Sequence, residues 1–241
     1  MMALNSLAKS TEPWTVFWQT HCMPERRPVV AAFDLDGTLT EGGSVVKWLR
    51  YVGRRGSVTT AMAHHAPQLI WGAIRSGTSA DLAKEQLFRD VLKGQSLEHV
   101  TARSAEFARH HLSRGARAHV VDRLKWHLSE GHHVVIVSAS PEVYVAMIAE
   151  SLGADHAIGT RLAVDPRGYL TGGYLGRNCR GAEKMRRLQE WIGAQEFPVA
   201  PEIFAYGNSR GDRRLLAGAD HPYDVGKLGA LGALRAYPRF N

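Results

Sequence analysis

Val29, Val30, Ala31, Ala32 and Phe33 make an unbroken apolar run that stops at Asp34. Its length and β-branched content predict a buried strand, because a strand covered on both faces needs no polar alternation. The pattern then changes. From about residue 44 to 115 apolar positions recur at helical spacing: Leu82, Leu87, Val91 and Leu92 ahead of Gly94, then Val100, Ala105, Phe107, Ala108 and Leu112. This predicts several helices with little strand content. A helix over 118–129, stopped by Gly131, and a strand over 133–137 follow. Ser140, Pro141 and Glu142 read as a helix start with Ser140 as N-cap. That helix runs past Val143, Met147 and Leu152 to Gly153. A short strand pair over 158–164 and 169–174 turns at Pro166, Arg167 and Gly168, before a helix over 183–192 and a buried strand over 203–206. The alternation predicts an α/β fold, a doubly wound and mostly parallel sheet with an inserted all-helical unit. Residues 28–43 and 116–241 are expected as the core, 44–115 as a helical cap and lid, and 1–27 as an N-terminal extension.

The first strand opens directly into Asp34-Leu35-Asp36-Gly37-Thr38-Leu39-Thr40. Carboxylates at the carboxyl edge of a parallel sheet sit where ligands bind. With period-2 alternation, Asp34 and Asp36 share a face, one able to act as nucleophile and the other as general acid/base beside a divalent cation. A plain Asp-Gly turn is the bland reading, but DxDGTxT after an apolar run is much more specific than DG alone. Ser138 ends a strand ahead of a helix N-terminus, where a hydroxyl and exposed N–H groups suit an anion. With Ser140 read as the cap, Ser138 is left for ligand. Lys184 lies in the first turn of its helix, badly placed for the dipole unless its amine reaches a bound phosphate. The loop Gly207-Asn208-Ser209-Arg210-Gly211-Asp212 directly follows a predicted strand.

DLDGTLT resembles motif I of the haloacid dehalogenase superfamily, and the other motifs follow in order over about residues 28 to 225. The pattern is most similar to the phosphoserine-phosphatase-like subgroup, which carries a helical cap after motif I. The resemblance implies a Rossmann-like core, Asp34 as nucleophile and Asp36 as acid/base. It implies Ser138, Ala139 and Lys184 around the phosphate, and Mg²⁺ held by Asp34, Asp36, Asn208 and Asp212. Asn208 departs from the family, which has an acidic residue there; an amide oxygen still suits a hard cation but carries no charge. Retention of Asp36 implies a phosphatase or a phosphomutase, because the family's dehalogenases and P-type ATPases lack it, and the large inserted lid favours the phosphatase. The expected activity is therefore a Mg²⁺-dependent phosphomonoesterase acting through an aspartyl-phosphate on a small phosphorylated metabolite or a lipid-phosphate head group. The alternative is a degenerate domain that binds a phosphorylated ligand or anionic partner without turnover. Phosphoserine itself fits poorly: Gly43 stands where its phosphatases place a glutamate, with Glu41 two residues short, and Phe88 takes the place of a cap arginine, with Arg89 beside it. Pro67, Leu69, Ile70, Trp71 and Ile74 suit a lipid substrate, or simply a cap core.

Charge alters this picture little. A net +7, from 30 Lys+Arg against 23 Asp+Glu, favours anionic ligands. The arginines are scattered in pairs, which reads as a solvated basic surface and not as a nucleic-acid interface. Cys22 and Cys179 are too few for a disulfide framework, so a reducing cytoplasm is expected. No stretch reaches the roughly 18 apolar residues of a membrane span. The first 27 residues do not have the pattern of a secretory signal. Trp14, Val16, Phe17 and Trp18 allow a peripheral membrane contact, and Met23 is an alternative start. The adjacent pairs His64-His65, His110-His111 and His132-His133 point to different faces of a helix or strand and make no metal site alone.

Overall fold

The computed structural model describes residues 27–54, 56, 58–64, 78–227 and 232–240. Cap positions 67, 69–71 and 74, the aromatic cluster at 14–18, Cys22 and Met23 lie outside these. In chain order the elements are β1 (Val29–Phe33), α1 (Val45–Val52), α2 (Thr78–Leu92), α3 (Leu97–Gly115), α4 (Ala118–Ser129), β2 (His133–Pro141) and α5 (Glu142–Leu152). Then come β3 (His156–Thr160), β4 (Leu162–Val164), β5 (Leu170–Tyr174), α6 (Ala182–Gly193), β6 (Glu202–Gly207), α7 (Arg213–Ala217) and β7 (His221–Asp224). A single turn of 3₁₀ helix, Arg210–Asp212, leads into α7.

Five strands form one sheet in the order β3-β2-β1-β6-β7, every neighbouring pair parallel. Val30 and Ala32 join the core on one face, and Ala31 and Phe33 the core on the other. Burial on both faces is why the run is unbroken. From β1 the chain winds outward through β2 and β3, then returns to the other side of β1 for β6 and β7. The carboxyl ends of β1 and β6 flank this reversal, and Asp34 N–H donates to Tyr206 O across it at 2.9 Å. Open α/β sheets bind their ligands at such points.

The helices between β1 and α4 pack around Trp48. Its indole N–H donates to Ser104 Oγ on α3 at 2.8 Å, and its ring meets Phe88 of α2 and Tyr144 of α5 at 6.0 and 5.3 Å between centroids. The connection from α2 to α3 is stitched to the β4–β5 hairpin: Gly94 N–H to Leu170 O and Leu170 N–H to Gln95 O, both 2.8 Å, and Leu97 N–H to Gly168 O, 2.9 Å. Among the described residues no helix is long and apolar enough to cross a membrane.

Two local expectations are corrected. Residues 158–164 are not one strand: Ile158 belongs to β3, aligned in parallel with β2, and only Leu162–Val164 pairs antiparallel with β5. The parallel sheet captures the more buried half, and Thr160 Oγ1, donating to Ala139 O at 2.8 Å, pins the break. Ser140 is not the N-cap of α5. The strand continues to Pro141, which holds the cap position without a side-chain bond, and Ser140 Oγ donates elsewhere.

Beneath the sheet, His127 is fully buried, its Nε2 2.9 Å from Tyr206 OH and its Nδ1 2.8 Å from His132 Nδ1. Burial first, then His132 and Arg123, push its pKa down to about 3. A free histidine titrates near 6.5, so the unfolded chain takes up a proton that the folded protein refuses. The stabilising contribution is complete above about pH 6.5 and is lost as pH falls towards 3, by up to about 1.4 kcal/mol per pH unit. Urea unfolding midpoints from pH 7 to 4 are expected to fall less steeply for His127→Gln than for the unaltered protein.

Candidate active site

Three chain segments meet at the carboxyl ends of β1, β2 and β6. Asp34 follows β1, and its Oδ2 accepts from Thr38 Oγ1 at 2.9 Å. Lys184, in the first turn of α6, donates to Asp34 Oδ1 at 2.5 Å and to Asp212 Oδ1 at 2.6 Å. All three are buried, at 5%, 2% and 1% exposure. Lys184 tolerates the helix N-terminus because two carboxylates surround its ammonium. They hold its pKa above the usual lysine range against the opposing pull of burial. Burial, and then Asp212, raise Asp34 to about 7, with Lys184 pulling the other way. One ammonium between two buried carboxylates leaves a negative charge uncompensated.

The second oxygen of Asp212 organises its own loop. Oδ2 accepts from Ser209 Oγ at 2.8 Å, Ser209 N–H at 3.0 Å and Asn208 N–H at 3.2 Å, a reciprocal capping box at the start of the 3₁₀ turn. Asn208 lies against Gly37, where an added Cβ would sit 2.0 Å from its Nδ2. Gly37 also has φ +84°, so a side chain there would be strained and would have to push the Asn208 amide aside. This turn ends the extended geometry that would have kept Asp34 and Asp36 equivalent. Asp36 Oδ2 accepts from Ser140 Oγ at 2.6 Å and Ser44 Oγ at 2.9 Å, a set of partners distinct from those of Asp34.

On β2, pairing with β3 slips between Val137 and Pro141, so residues 138–140 stand outside the regular ladder. Ser138 Oγ is buried and accepts Ser140 N–H at 3.1 Å. Ala139 O accepts from Lys84 Nζ of α2 at 2.6 Å.

Among the described residues no three His, Cys, Asp or Glu side chains converge on one point. Asp212 spends both oxygens on Lys184 and its loop, and Asp36 faces the serines. Yet Asn208 Oδ1 and Asp36 Oδ1 are buried with no hydrogen-bond partner among the described residues. The orphaned Asn208 Oδ1 is an oxygen donor of the kind a hard divalent ion takes, and it lies on the same loop as Asp212.

Against this geometry, the sequence model of the haloacid dehalogenase-like hydrolases matches residues 31–217. The chain belongs to this family. It is 36% identical to protein CicA of Caulobacter vibrioides over 194 residues, 80% of this chain and 84% of that one. It is 24% identical to histidinol-phosphatase of Neisseria meningitidis over 202 residues (81% and 89%), and 30% identical to phosphoserine phosphatase of Archaeoglobus fulgidus over 193 residues (80% and 50%). A Bordetella pertussis crystal structure of unknown function superposes with TM-score 0.75 at 24% identity, covering 89% and 99% of the two chains. A substrate-bound phosphoserine phosphatase does so with TM-score 0.58 at 19% identity, covering 85% and 90%. This hydrolase thus falls among the phosphatases of its family and shares their α/β fold.

The structure brings Asp34, Lys184 and Asp212 into direct contact and Asn208 N–H onto Asp212, while Asp36 bonds to Ser44 and Ser140, and Ser138 Oγ to Ser140 N–H. Sequence reasoning missed Ser44, Tyr144 and Arg117. Arg117 is buried and fastens the motif I turn by donating to Gly37 O and to Val225 O, the latter at 2.9 Å. No local pattern announces it, because those contacts span 80 and 108 residues.

Lys184→Met would strand two buried carboxylates, and removing one partner of a buried pair costs about 3–5 kcal/mol. Chemical denaturation of this variant at neutral pH is expected to show a loss of that order, with the difference shrinking in acid as a carboxylate protonates.

Proposed function

We propose that this hydrolase is a Mg²⁺-dependent phosphomonoesterase working through an aspartyl-phosphate on Asp34. The observation that carries the reading is the buried Asp34–Lys184–Asp212 contact with Asp36 set apart on hydroxyl partners. One carboxylate is fixed beside a permanent cation, as a nucleophile for a dianion requires, and another has an oxygen left to exchange protons. Asp34 attacks phosphorus, and the bond from phosphorus to the ester oxygen breaks as Asp36 protonates the departing alcohol. Asp36 then takes a proton from water, whose oxygen attacks phosphorus, and the Asp34 carboxylate leaves with phosphate released. Lys184 balances charge on the transferring group, and Ser138 with the backbone at Ala139 receives its oxygens. When bound, Mg²⁺ would lie against Asp34 and Asn208 and neutralise phosphate charge. Asp212 keeps Lys184 and the Asn208 loop in register, with Asp36 beside them as the fourth member of the expected metal set.

The substrate we propose is a phosphorylated small molecule or a lipid-phosphate head group lacking an amino-acid head. In support, Phe88 is fully buried in the aromatic cluster, Arg89 pairs with Glu85 at 3.6 Å, and Glu41 pairs with Lys227 at 2.6 Å. The helical unit between β1 and α4 would serve as the cap over the core, in a cytoplasmic protein. A cytoplasmic setting agrees with the buried Cys179 thiol, which burial pushes up to about 11 and so keeps protonated and unreactive.

Asp34→Asn is expected to abolish p-nitrophenyl phosphate hydrolysis with an unchanged circular dichroism spectrum, and EDTA to silence the unaltered protein until Mg²⁺ is restored. Residual turnover above a small fraction in the variant would remove Asp34 as nucleophile. Asn208→Asp should tighten Mg²⁺ binding to the free protein in calorimetry. Equal affinity would mean that position 208 does not touch the metal.

A further inference from the structure

Two serines at helix starts have turned away from the helices. Ser44 holds the N-cap of α1 yet makes no side-chain cap; its hydroxyl donates to Asp36 Oδ2 at 2.9 Å. Ser140, just ahead of α5, donates to the same oxygen at 2.6 Å, and α5 likewise begins without a side-chain cap. With its hydrogen directed at Asp36, Ser44 Oγ is left to accept from Tyr144 OH at 2.6 Å, and it lies 3.3 Å from the Ser140 oxygen. Ser44, Ser140 and Tyr144 are all buried. The other oxygen, Asp36 Oδ1, is buried with no partner among the described residues.

This division of labour between two oxygens of one carboxyl is what proton transfer needs. A carboxyl that delivers a proton must present one oxygen in a fixed direction, and the other must be held so that the group does not rotate. We propose that Ser44, Ser140 and Tyr144 are positioning residues that lock Asp36 through Oδ2 so that Oδ1 serves the leaving-group oxygen. The inference rests on the reading of Asp36 as acid and base. Oδ1 gives its proton to the departing oxygen as the bond to phosphorus breaks. The carboxylate left behind keeps both hydroxyl donors on Oδ2, and these bonds strengthen as its charge develops. Tyr144 adds a mechanical link. Its ring packs on Trp48 of α1 and Phe107 of α3, centroids 5.3 and 5.2 Å away, so the acid is registered to the helical unit as well as to the sheet.

The test compares p-nitrophenyl phosphate, whose leaving group departs readily without a proton, with phenyl phosphate, whose leaving group needs one. For Ser44→Ala and Tyr144→Phe, kcat/KM for phenyl phosphate should fall about tenfold or more, and for p-nitrophenyl phosphate by less than about threefold. Ser44→Thr, which restores the hydroxyl, should recover most of the loss. Tyr144→Phe keeps the ring and its packing, so it carries the test even if Ser44→Ala folds poorly. Asp36→Asn is measured on the same two substrates. If it shows no preferential loss on phenyl phosphate, the acid assignment itself fails. If it does, and the Ser44 and Tyr144 variants lose equally on both substrates or not at all, the positioning role is overturned alone.

Discussion

One buried ammonium between two carboxylates sets the terms for the rest of this protein. Lys184 joins the end of β1, the start of α6 and the loop after β6, three segments whose only common ground is the carboxyl edge of the sheet. Taking charges out of water is unfavourable unless each is met, and here the geometry meets the lysine fully and the carboxylates only in part. Burial and this deficit of positive charge together raise the Asp34 carboxyl well above its ordinary range. Thr38, Arg117 and the Ser209–Asp212 capping box are the supports that keep the carboxylates close despite their repulsion.

What the sequence made legible follows from how local each determinant is. The apolar run at Val29–Phe33, the DLDGTLT segment and the GNSRGD loop lie within a few residues of the features they specify, so strand, turn and acidic positions can be read directly. Lys184 was legible through a misfit, a cation at the wrong end of a helix. Ser140 was misread because its local context is that of a helix cap, whereas an acidic side chain 104 residues away claims its hydroxyl. Ser44 and Tyr144, 100 residues apart, escaped notice because neither belongs to a motif. The 158–164 run was read as one strand because its composition does not mark where the parallel sheet lets go of the chain at Thr160.

Two of the ties that hold the helical unit differ in character. Around Trp48 the contact is largely aromatic, reaching from α1 and α3 to Tyr144 on the core. At Gly94–Leu97 it is a set of backbone hydrogen bonds to the β4–β5 hairpin. Packing of the first kind tolerates small sliding, while backbone bonds to a hairpin fix register.

The contact of Asn208 with Gly37 couples two segments far apart in the chain. The Asn208 amide fills the space above the motif I turn, and the positive φ of Gly37 already disfavours a side chain there, so a larger residue would both strain the turn and push the amide aside. Whatever displaces the tip of Asn208 also displaces a buried oxygen that has no hydrogen-bond partner among the described residues.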